Sequence, residues 1–91
     1  MNNRVEKFIA ELVSLAKDIS PEAEIEISSV SIEGEDATIQ VVTPDGKADE
    51  VHEALLHRRY DIFMDEGYDI IVMVYDREEL AARMGFSARA A

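Results

Sequence analysis

Cysteine is absent from this chain of 91 residues. Disulfides, thiolate metal ligands and cysteine nucleophiles are excluded with it. Positive charge is scarce: nine Lys and Arg stand against twenty Asp and Glu, a net charge of −11 at neutral pH. Eleven of those acids lie between Asp18 and Glu53, where Lys47 is the lone basic side chain apart from His52. Such a stretch repels a phosphate backbone, because nucleic-acid affinity rests largely on Lys and Arg neutralising phosphates. It repels anionic membrane surfaces for the same reason. Long apolar runs are missing as well. The longest, Ile70 to Tyr75, falls far short of the ~20 residues of a membrane span. The amino-terminal pattern is interrupted by Glu6, Glu11 and Lys17, unlike a secretory signal. A cytoplasmic location is therefore expected, with no membrane partner. Four Gly and two Pro fall singly, and no repeat, linker or low-complexity block separates them. One domain over residues 1–86 is expected, with residues 87–91 fraying.

The remaining sequence is patterned. Val5, Phe8, Ile9, Leu12, Val13, Ala16 and Ile19 follow the i, i+3, i+4, i+7 spacing of an amphipathic helix over residues 4–19. Asn2 or Asn3 can cap it, and Pro21 forbids its continuation. Ala23, Ile25 and Ile27 then alternate with Glu22, Glu24 and Glu26, the period of a half-buried strand. The phase slips by one residue at Val30 and Ile32, so a bulge is expected near Ser28-Ser29. After a turn at Gly34, Ala37, Ile39 and Val41 point inward from a returning strand. Thr43 or Asp45 can cap a second helix over residues 47–66, which Gly67 ends in the left-handed conformation. Val51, Leu55 and Ile62 share one line of this helix, Leu56 and Phe63 another, and Arg59 and His52 fall between them. A buried guanidinium must be paired; otherwise the helix bends near Tyr60-Asp61 and swings Arg59 to the surface, its stem lies along the apolar surface with the head reaching out, or it meets an anion in a cleft.

The segment from Tyr68 to Tyr75 is β-branched and apolar on both parities, so both faces of that strand require cover. Asp76 and Glu79 have the spacing of a capping box for a short terminal helix, closed by Gly85-Phe86. Leu80, Met84 and Phe86 are candidates to cover Ile71, Met73 and Tyr75; a second protein chain, including another copy of this one, is the alternative. Tyr60, Tyr68 and Tyr75 add the residue type enriched in interface cores. The expected fold is α+β, a two-layer α-β-β-α-β-(α) arrangement. Its three-stranded mixed sheet carries two main helices on one face and a short C-terminal helix.

This element order resembles the type II KH nucleic-acid-binding arrangement. The resemblance stops at order, since Gly34, Gly46, Gly67 and Gly85 never supply the G-x-x-G spacing with which such domains clamp a backbone. The concentrated basic patch is His57-Arg58-Arg59, with His52 five residues earlier. It is a candidate anion site, arginine supplying the bidentate fork. Salt bridges from Arg58 and Arg59 to Glu50, Glu53, Asp61 or Asp65 on neighbouring turns are the plainer expectation. The two histidines are five apart, so they miss the i, i+4 spacing of a zinc helix. Asp45-Gly46 lacks the alternating ligands of a calcium loop, and Gly67 interrupts the Asp61, Asp65, Asp69 series. No serine sits in a nucleophile motif and no glycine loop cradles phosphate. No metal, cofactor or catalytic residue is therefore expected. The expected role is a non-enzymatic protein-interaction or homo-oligomerising module. The alternatives are an anion or nucleic-acid binder using the basic patch, and a small subunit of an enzyme completed by another chain.

Overall fold

The apolar stripe near the amino terminus winds into α1 (Asn3–Ile19) in the computed structural model, which describes residues 3–28 and 34–84, the side chains at 83 and 84 excepted. Val5, Phe8, Ile9, Leu12 and Ala16 are buried along it, as the helical spacing requires. Ser20 closes the helix by donating its N–H to the Ala16 carbonyl at 2.8 Å. Its buried hydroxyl donates to the Asp45 carboxylate at 3.0 Å. Asp45 is thereby committed to the end of α1. It does not cap the second helix, whose N-cap residue is Lys47, without a side-chain cap hydrogen bond.

The sheet is built from β1 (Glu24–Ser28), β2 (Ala37–Thr43) and β3 (Ile70–Asp76), in the order β1-β2-β3. β1 runs antiparallel to β2, with Ile25 opposite Val41 and Ile27 opposite Ile39. β3 runs parallel to β2, with Val72 opposite Ile39 and Val74 opposite Val41. The crossover between these two strands is α2 (Ala48–Glu66), the usual way to join parallel neighbours. Gly67 ends it at φ 79°, donating its N–H to the Phe63 carbonyl at 2.9 Å. α3 (Arg77–Met84) follows β3 directly, and Asp76 caps it by accepting from the Glu78 N–H at 2.9 Å.

Both long helices lie on one face of the sheet. The core between the layers joins Leu12 of α1, Val51, Leu55 and Ile62 of α2, and Ile39, Val41, Ile70 and Val72 of the strands. This is the expected α+β arrangement. Ile27 departs from the expected alternation: it shares the inward face with buried Ile39, yet it is exposed. It lies near the end of an edge strand, where it borders only a shallow groove beside Ile9 and Val13 of α1. The expected bulge near Ser28-Ser29 and the closing residues Gly85-Phe86 lie outside the described residues. No helix among the described residues is long and apolar enough to cross a membrane.

Candidate docking site

Helix geometry divides α2 into three surfaces. At about 100° per residue, Val51, Leu55 and Ile62 fall on one line, and all three are buried on the sheet. Arg58 lies about 40° to one side of that line. There it pairs with Glu11 of α1, while Arg4 of α1 pairs with Glu66 at the end of α2. That flank is the helix–helix contact. The Glu11 hydrogen bond raises the Arg58 pKa above its ordinary value, and the nearby Asp61 and Asp65 charges act in the same direction. The partners expected on neighbouring turns of α2 therefore give way to one on α1, forty-seven residues away in sequence.

The opposite flank, about 60–120° from the buried line, carries Arg59, His52, Phe63 and Leu56. It has no helix beside it among the described elements. Leu56, Tyr60, Phe63 and Met64 are 38%, 62%, 47% and 61% exposed, and they run at i, i+4, i+7 and i+8 along the helix. Four of the five large exposed hydrophobics of the described residues are on this one element. The spacing alone marks them as a stripe. What the sequence conceals is that α2 buries the other line, leaving this one in solvent.

Leu56, Tyr60 and Phe63 wall an open cleft of about 660 Å³, with His57, Arg59 and Asp69 as polar neighbours. Arg59 is 27% exposed and donates from Nη2 to Asp69 Oδ1 at 3.1 Å. Its Nε is buried without a hydrogen-bond partner. Of the ways to accommodate this arginine, the structure shows a head paired by a carboxylate at the start of β3 on a side chain that stays mostly buried. The four basic residues do not converge. Arg58 turns to α1, Arg59 is held by Asp69, and His52 and His57 stand exposed.

Beside this flank is the outer edge of β3. α2 packs mainly on β3, whereas α1 packs on α2 and reaches β2. The flank of α2 turned away from α1 therefore overhangs the free side of β3. Asp69 donates its N–H to Asp36 Oδ2 at 2.8 Å and accepts the Asp36 N–H at 2.7 Å. The Tyr75 carbonyl accepts from the Thr43 hydroxyl at 3.5 Å. Backbone groups at these odd positions thus face β2, and alternation directs those of Ile70, Val72 and Val74 outward. Among the described residues β3 pairs with β2 alone. Ile71, Met73, Tyr75 and Leu80 are each half-buried. The side chain of Met84 and all of Phe86 lie outside the described residues. Tyr68 packs on Phe8 with ring centroids 6.0 Å apart, so of the three tyrosines only Tyr60 is well exposed.

Compared with protein-family models, curated proteins and solved structures, the chain has no significant match.

Proposed function

We propose that this chain is a non-enzymatic protein-interaction module that docks through the free flank of α2 and the adjoining edge of β3. The observation that carries the reading is the exposed stripe Leu56, Tyr60, Phe63 and Met64. Apolar side chains scattered singly on a surface need no explanation, but a contiguous set with polar residues around it marks an interaction surface. Aromatic residues and Met are enriched at such surfaces, and two aromatics and one Met stand here. The β3 edge adds backbone groups that are unpaired among the described residues, next to the stripe, a template for strand addition.

A photo-crosslinking side chain at Tyr60 tests this reading. A discrete adduct should form, and it should vanish when Leu56→Glu and Phe63→Glu are introduced with the helical signal and melting temperature retained. No adduct, or the same adduct in the double variant, would refute the reading.

A further inference from the structure

The occupant of this surface is identified by a conflict within the fold. β3 is the most apolar of the three strands, with Ile70 and Val72 buried and Val74 packed against the core on one face, and Ile71, Met73 and Tyr75 half-buried on the other. A strand of that composition belongs in the interior of a sheet. Natural edge strands are blunted by Lys, Pro, bulges or a covering element. β3 has no Lys and no Pro, pairs continuously from Ile70 to Asp76, and still occupies the edge.

We propose that a second copy of this chain continues the sheet across β3, and this deepens the docking function given above. The two β3 strands pair antiparallel about a two-fold axis, giving six strands in the order β1-β2-β3-β3-β2-β1. Only such an isologous contact lets one surface satisfy itself and close. The outward backbone groups of Ile70, Val72 and Val74 fit a register centred on Val72, with Ile70 of one copy opposite Val74 of the other. Ile71 then lies opposite Met73, so every cross-strand pair over these five residues is apolar.

The helices fit the same axis. Arg59 stands over the start of β3, where it meets Asp69. Val72 is three residues further along, about 10 Å at strand rise, which equals about six or seven residues of helix. The crossover helix runs back antiparallel to the strand, so the axis passes α2 close to His52 and Glu53. Leu56 then lies about one helical turn from the axis, on the flank turned towards the other copy. Strands at the ~4.8 Å sheet spacing bring the overlying α2 flanks towards the ~8–10 Å range of packed helices.

Charge fixes how this occupant responds to salt. With −11 on each chain, two copies repel over most of their surfaces. The cleft flank is of mixed sign: His57 and Arg59 adjoin Glu53, Asp61 and Asp69. Antiparallel α2 helices centred near His52 and Glu53 set His52 of each copy beside Glu53 of the other. Long-range repulsion with short-range apolar contact has a distinctive consequence: added salt tightens the association. A basic partner on an acidic face would weaken with salt.

Sedimentation equilibrium of the whole chain at low and high salt tests the proposal, alongside Leu56→Glu/Phe63→Glu and Val74→Pro. The proline removes one outward N–H while leaving the β2 pairing intact. The chain should be a dimer that tightens with salt. The double variant should weaken it at least about 10-fold by placing carboxylates on the helix flank beside the axis, and the proline variant should weaken it independently. A monomer at every concentration and salt would overturn the proposal. So would a dimer indifferent to both variants, or one that salt dissociates. A monomer that still forms the Tyr60 adduct with another protein would overturn the second-copy occupant alone. A monomer without any adduct would overturn the docking function with it.

Discussion

Leu55 and Leu56 are neighbours in sequence with opposite fates, and replacing each by alanine separates folding from docking. Leu55 is 0% exposed in the core between α2 and the sheet. Truncation removes about three carbon groups' worth of transfer free energy at ~0.8 kcal/mol each. A term for the cavity brings the loss to about 3–5 kcal/mol. For a domain of this size each kcal/mol lowers the melting temperature by about 4–8 °C, so Leu55→Ala should cost more than about 12 °C. Leu56 leaves 38% of its surface in water, and the space it vacates opens to solvent. Leu56→Ala should therefore cost about 1 kcal/mol or less in the isolated chain. The assay is thermal and urea denaturation followed by far-ultraviolet circular dichroism, at concentrations low enough to exclude association. Equal losses, or a larger loss at Leu56, would refute the assignment of the buried face of α2.

Other expectations are smaller. Arg59→Lys should change stability by less than about 1 kcal/mol, since a half-exposed ion pair contributes little and lysine can still reach Asp69 without the unpartnered Nε; denaturant titration reads this directly. Gly67→Ala should cost about 1–2 kcal/mol in the same titration, because φ 79° penalises any Cβ although nothing lies within 4 Å of one there. Asp76→Ala should remove the α3 cap at a local cost of about 1 kcal/mol, seen as faster amide exchange at Glu78 and Glu79 with the β2 amides unaffected.

Much of the fold was legible because its signals are local. The α1 stripe, the alternation of Ala37, Ile39 and Val41, and the stop at Gly67 each depend on residues within a turn or two, and each forms where its pattern lies. The candidate site was legible only in part. Val51, Leu55 and Ile62 satisfy helical spacing, and so do Leu56 and Phe63; the choice between the lines is made by contacts with the sheet and α1, which periodicity does not encode. The partners of Arg58 and Asp45 come from segments forty-seven and twenty-five residues away, so rules for neighbouring turns led to different assignments. For β3, composition indicated a strand covered on both faces, whereas its place at the edge of the sheet, which the proposed docking surface uses, comes from the topology alone.

Amide hydrogen exchange of the purified chain as a function of its concentration tests the central claim most directly. At low concentration the amides of Ile70, Val72 and Val74 should exchange as open-edge groups, while those of Ile71 and Met73, bonded to β2, are protected. Raising the concentration should slow Ile70, Val72 and Val74 together and leave the β1 amides unchanged. If those three amides exchange at the same rate at every concentration, and no added partner slows them, the edge of β3 is not a docking surface and the account fails.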